Sequence, residues 1–185
     1  MKILMLVNWK VLSCKETPND KQPPDYRVEG EPYWFYRYFN QKDDVDIIDI
    51  SSVSWLENFE REKLRFYVLQ ALKAIPKLHK YDLIVSHGMQ SAVVVCLYRR
   101  FFRGKEKHIV FDIGSFNSAA ESGSALKLMQ FASRSIDGLI YHTSAQHAYY
   151  EKFFPHGWSK KFSVLSDFGT DGVFLEKGKQ TPKRR

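Results

Sequence analysis

Most of the side chains able to do chemistry stand directly after apolar runs, in the polar segments 8–9, 51–54, 86–90, 112–117, 143–146 and 167–171. His87 closes "YDLIVSHG"; it can hydrogen-bond a ligand hydroxyl, or serve as a satisfied loop histidine. Asp112 opens "DIGSFN", which also holds Ser115 and Asn117. A carboxylate in such a place can take a proton from a hydroxyl or orient it, and an Asx-turn is the alternative use of Asp112. Ser144 either faces a ligand or N-caps the helix "AQHAYYEKF". The second concentration of charge is basic. Arg99, Arg100, Arg103, Lys105 and Lys107 crowd "YRRFFRGKEKH" with Tyr98, Phe101 and Phe102 between them. They read as a solvated face, or as contacts to an anionic lipid surface, where each basic residue adds about 1 kcal/mol.

The elements that must position these residues follow from the apolar pattern. Runs at 2–9, 45–51, 81–88, 108–114, 138–144 and 161–168 are rich in Ile, Val and Leu with little alternation, which predicts strands buried on both faces. Helical spacing predicts helices within 57–79, ended or kinked at Pro76, and over 89–102, 123–137 and 145–155, with Ser122 or Ser124 capping the third. A short aromatic helix is expected at 32–41, after a polar, proline-bearing loop. Helices between successive strands imply parallel pairing through right-handed crossovers, hence a doubly wound α/β sandwich. Ligands of such sheets bind beyond the carboxyl ends of the strands, near the switch in strand order. The polar segments above are therefore the rim to examine.

Several classes are excluded or disfavoured. The chain lacks G-x-x-x-x-G-K-[ST], G-x-G-x-x-G after its first strand, and G-x-S-x-G. Its six histidines and two cysteines, Cys14 and Cys96, have no metal spacing, so no metal is expected. Cys96 reads as a buried small hydrophobe, and the cysteine usage fits the cytosol. No run approaches the roughly 18–20 apolar residues of a membrane span, and "MKILMLVNW" reads as a mature first strand rather than a leader. The formal charge of +7 suggests an anionic partner, although the tail "KGKQTPKRR" contributes five of the cations. No nucleic-acid-binding motif accompanies it, so nucleic acid is not expected.

Three ordered segments resemble the N-terminal half of GT-B glycosyltransferases of the family 4, or group 1, class. "DLIVSHG" matches the family's D-(apolar)-(apolar)-H-x-H strand, with Asp82 kept, Val85 at the first His position and His87 at the second. "IDGLIYHTS" matches A-D-x-(apolar)-(apolar)-x-x-S, with Asp137 and Ser144 in register. "VLSDFGTDGVF" resembles the P-N-G-(apolar)-D turn: Gly169, Asp171 and Phe174 are kept, Ser166 and Asp167 replace Pro and Asn, and Phe168 is extra. The Gly-Gly turn of the first loop is reduced to Gly30 in "VEGEP".

The resemblance implies a Rossmann-like three-layer α/β/α sandwich with a mainly parallel sheet, spanning residues 1–170 as the acceptor-side domain. Residues 171–185 would be a linker or basic tail toward a donor-binding domain that this chain lacks. It implies transfer of a sugar from a nucleotide-sugar to a glycan or lipid-linked acceptor, with no cofactor held by this chain and no activity from it alone. Asp112 and His87 would be the catalytic candidates near the reacting sugar. Gly30, Ser115, Asn117 and Ser144 would bind substrate. A cytoplasmic location, peripheral at the inner membrane face, goes with it. Two other classes stay open on the residues: a non-catalytic α/β module using its basic face on membranes or partners, and a flavodoxin-like nucleotide- or flavin-binding protein.

Overall fold

The computed structural model describes residues 1–33, 43–51, 58–64, 66–102, 104–112, 121–141, 143–154 and 162–165. The expected helix at 32–41, Arg103, Ser115, Asn117 and the segment 171–185 lie wholly or largely outside these residues.

Among the described residues there are eight strands: β1 (Lys2–Leu6), β2 (Leu12–Cys14), β3 (Tyr26–Val28), β4 (Asp44–Ile48), β5 (Leu83–His87), β6 (Lys107–Asp112), β7 (Gly138–Tyr141) and β8 (Phe162–Leu165). Six of them form one sheet in the order β4-β1-β5-β6-β7-β8, and every pairing in it is parallel. The helices are α1 (Val68–Ala74), α2 (Gly88–Phe101), α3 (Gly123–Ala132) and α4 (Ser144–Phe153). The fold class expected from the residues, a Rossmann-like α/β sandwich, is the one observed.

From β4 onward each connection advances the same way across the sheet, so right-handed crossovers place α1 to α4 on one face. Leu4, Leu6 and Ile84 pack there against Ala71, Ala74, Leu78 and Val95. Val110 and Leu139 continue that layer under Val93, Cys96, Met129 and Tyr150. Residues one step along each strand point the other way. Met5 and Val7 accordingly pack with Tyr33, Trp9, Val11, Ile47 and Val85 on the opposite face.

Two aspartates set the strands' register at their amino ends. Asp82, one residue before β5, accepts from Lys2 N at 2.8 Å. Asp137, one residue before β7, accepts from His108 N at 3.0 Å. Each carboxylate thus satisfies a backbone amide at the start of a strand.

The structure corrects three local expectations. The proline-rich loop is closed by a second, two-stranded parallel sheet, in which β2 just before it pairs with β3 inside it. The helical stretch expected within 57–79, with an end or kink at Pro76, is a π-helical turn (Glu60–Leu64), α1, and a 3-10 helix (Ile75–Lys80) that carries Pro76 in its first turn. Glu60 from the π turn accepts from Leu69 N at 2.8 Å and so caps α1 in place of its own N-cap residue, Tyr67. Finally, Ser122 stands at the N-cap of α3 but makes no side-chain capping bond.

Candidate functional site

The switch in strand order falls between β1 and β5, because the chain leaves β1 toward β4 and returns on the other side. The crevice beyond those two carboxyl ends is where a parallel sheet of this kind takes a ligand. Val7, Trp9 and His87 lie there, with Asp112 and Thr143 further along the same edge.

His87 is buried, 1% exposed. Its ring meets Trp9 edge-on at 4.7 Å between centroids and Phe111 at 5.1 Å. Trp9 Nε1 donates to Tyr33 Oη at 3.0 Å, and Tyr33 Oη donates to Pro24 O at 2.6 Å. Burial pushes the Tyr33 hydroxyl up to about 12, with the Trp9 hydrogen bond working the other way. An aromatic wall of Trp9, His87 and Phe111 thus lines one face of the sheet at its carboxyl edge, tied by Tyr33 to the proline loop.

Asp112 is also fully buried, but on the other face. Register settles this: His87 pairs with Phe111, so Asp112 is one residue out of phase and pairs with Tyr141 on the helical side. Its Oδ2 accepts from Tyr150 Oη at 2.5 Å and from Gln146 Nε2 at 3.2 Å, and Gln146 Nε2 also donates to the Asp112 carbonyl. The Tyr150 hydroxyl is pushed well above its ordinary range, first by burial and then by the Asp112 charge. The two residues singled out as catalytic candidates therefore do not converge on one point. Each is enclosed by side chains on its own side of the sheet.

Two further site expectations are corrected. Ser144 is the first residue of α4, and the cap belongs to Thr143, whose Oγ1 accepts from Gln146 N at 3.1 Å while Gln146 Oε1 accepts from Thr143 N at 3.0 Å. This is a capping box with Gln at its fourth position. Arg99 is no surface residue: it is 1% exposed. Its guanidinium donates to Ser135 O and Glu106 O, each at 2.7 Å, to Asp137 Oδ2 at 3.1 Å and to Glu106 Oε1 at 3.3 Å. A planar fork matched to two carboxylates and two carbonyls explains why arginine can be buried there. Arg100, Lys105 and Lys107 do stand exposed, at the amino edge of the sheet, opposite the candidate crevice. Gly30 takes φ +81° in an exposed turn, and a Cβ there would meet nothing within 4 Å. Its conformation is accounted for by the turn.

The polar residues that hold the site together were not singled out from the sequence. Gln146 and Tyr150 are four apart on α4 and so share a face toward Asp112, a spacing that was visible. Gln70 gave no such signal. From α1 its Nε2 donates to Val7 O at 2.7 Å and Ile48 O at 2.8 Å, clamping the ends of β1 and β4. Ser86 and His108, 2.8 Å apart, and Cys96, 3.5 Å from His108, form a fully buried polar trio beneath α2. A nucleophile needs access to its substrate, so the trio acts in packing. The buried state of Cys96 agrees with its reading as a small hydrophobe.

Among the described residues no cluster of three or more His, Cys, Asp or Glu could hold a metal ion, and no helix is long and apolar enough to cross a membrane.

No family model matches the sequence, and no curated protein matches it. In three dimensions the chain is similar to sucrose-phosphate synthase from Thermosynechococcus elongatus, at 13% identity and a TM-score of 0.50, over 89% of this chain and 47% of that one. A second likeness, to HepE of Anabaena in complex with UDP, has 13% identity and a TM-score of 0.48, over 97% of this chain and 50% of that one. The chain thus spans about half the length of these solved structures. At such identity the likeness speaks for the fold alone: a parallel, Rossmann-like α/β domain.

Proposed function

We propose that this chain is the acceptor-side half of a GT-B glycosyltransferase of the family 4 class, moving a sugar from a nucleotide-sugar to a hydroxyl of a lipid-linked or cell-surface glycan. The observation that carries the reading is the match to sucrose-phosphate synthase over nearly all of this chain but less than half of that one. It joins the ordered segments around Asp82, His87, Asp137 and Ser144. In this reading the donor and the cations that stabilise its leaving diphosphate belong to a second domain, so this chain holds no cofactor and is inactive alone. Buried His87 and Asp112 then act by fixing the shape of the acceptor crevice from its two sides. Gly30, Ser115, Asn117 and Ser144 are the residues proposed to meet the acceptor. The test is sugar transfer from a panel of nucleotide-sugars by the whole natural protein and by this chain.

The peripheral-membrane part of the proposal rests on a different observation. Phe101 and Phe102 are 72% and 65% exposed at the end of α2, beside Arg100, Lys105 and Lys107. Phe101 also neighbours the half-exposed Phe131, over which Arg100 stacks at 5.1 Å. Exposed aromatics flanked by cations suit the interface of an anionic bilayer. Sedimentation with phosphatidylglycerol vesicles is expected to bring the chain down in low salt. Phe101→Ser with Phe102→Ser should cut that binding by about tenfold or more, each ring removing well over 1 kcal/mol of burial. Equal sedimentation of the variant would remove the membrane from the proposal.

A further inference from the structure

A groove of about 420 Å³ lies at the carboxyl end of β4, the outer strand of the main sheet among the described residues. The β2–β3 ribbon walls it on one side and the α1 region on the other. Its size falls within the roughly 300–1,000 Å³ of small-molecule sites. Three cations line it: Arg27 from β3, Lys73 from α1 and Lys77 from the 3-10 helix. One carboxylate, Asp49, faces them, but its oxygens are already engaged. Oδ2 accepts from Val11 N at 3.0 Å and Ser51 Oγ at 2.6 Å, and Oδ1 accepts from Ser51 N at 3.2 Å. Two of the cations are held in place: Arg27 Nε donates to Ser13 Oγ at 2.9 Å, and Lys73 Nζ donates to Ser51 O at 2.6 Å. Ile47 and Ile48, whose side chains turn to opposite faces of β4, line it along the edge of that strand.

From this arrangement we infer that the groove is a binding site for a small soluble phosphomonoester. Its dianionic head would sit among Arg27, Lys73 and Lys77, and its uncharged body would lie along the edge of β4 at Ile47 and Ile48. Three cations against one internally satisfied carboxylate leave an excess of positive charge that a dianion matches. A fixed guanidinium provides bidentate donors and a fixed ammonium a point charge, so little ordering remains to be done on binding. A single head group suits the site better than a polyanion, because the basic residues converge on one hollow. The groove's charge does not depend on the reaction the protein takes part in, so failure of the transfer assay leaves it standing.

The test is an amide NMR titration of the chain with glucose 6-phosphate at low ionic strength, with glucose and sodium chloride as controls. Saturable shifts are expected at Ser13, Arg27, Asp49 and Ser51, absent with glucose and with matched salt. Arg27→Ala and Lys77→Glu, both at exposed positions, should each weaken binding by about tenfold or more, the scale of one charge-assisted hydrogen bond. Lys127→Glu on α3, exposed and outside the groove, should leave it unchanged. The inference is overturned by an absence of saturable shifts at millimolar ligand, by wild-type affinity in both groove variants, or by shifts that matched salt reproduces.

Discussion

Arg99→Ala should destabilise the chain by about 3–5 kcal/mol, the usual consequence of stripping one partner from a buried ion pair. The reason lies in what stays behind. Glu106 keeps a side chain only 3% exposed and Asp137 one 16% exposed, with Lys107 Nζ 3.9 Å from Asp137 Oδ1 as a remote substitute. Two carbonyls, Ser135 O and Glu106 O, lose their donor in the same step. The loop between α2 and β6 is shaped around this centre, for a Cβ at Gly104 would run into the Glu106 carboxylate. Against a typical total stability of about 5–15 kcal/mol, the loss is severe. It should lower the midpoint of thermal unfolding by on the order of 10 °C in a chain of this length. Arg100→Ala, one residue on but exposed, should stay within about 0.5 kcal/mol. Chemical denaturation of the two variants side by side checks this, and equal midpoints would show that Arg99 is dispensable.

Tyr150→Phe is the second large effect, expected at about 1–3 kcal/mol, because the Asp112 carboxylate stays buried and loses its shortest hydrogen bond. It also carries a pH signature. Burial first, and then the charge of Asp112, hold the Tyr150 hydroxyl well above the value of about 10 that it has when unfolded. A group raised on folding contributes stability that is complete below its unfolded value and is lost as pH climbs toward the folded one. The wild-type chain should therefore lose stability above about pH 10. Tyr33 and Tyr81, both pushed up to about 12 chiefly by burial, work in the same direction. Tyr150→Phe should be less stable at neutral pH yet fall less steeply above pH 10. Denaturation midpoints at a series of alkaline pH values would show it, and parallel curves for the two proteins would contradict it.

Much of the fold was legible because burial on both faces leaves uninterrupted apolar runs. "KILML", "LIVSH" and "GLIY" are strands where such runs predict them, and the helices between them follow the 3.6-residue pattern. The β2–β3 ribbon was not legible. "LSC" and "YRV" are three residues each, too short to carry a pattern, and pairing rather than composition makes them strands. Arg99 misleads for a related reason. In "YRRFFR" it looks like one charge among several, and the most distant of its partners in sequence, Asp137, is 38 residues away. His87 and Asp112 both sit at strand ends, as expected, but which face each occupies depends on register, a property of the paired sheet. The basic groove draws on β2, β3, the end of β4 and the α1 region, so no local stretch of sequence announces it.

The central claim is that this chain is one half of a sugar-transferring enzyme. The most direct measurement is transfer of labelled sugar from UDP-, GDP- and ADP-linked donors into a lipid and glycan acceptor extract. The whole natural protein and the 185-residue chain would be assayed side by side. The account predicts transfer by the whole protein from at least one donor and none by the chain alone. Transfer by the chain alone, or a whole protein that transfers from none of these donors, would contradict it.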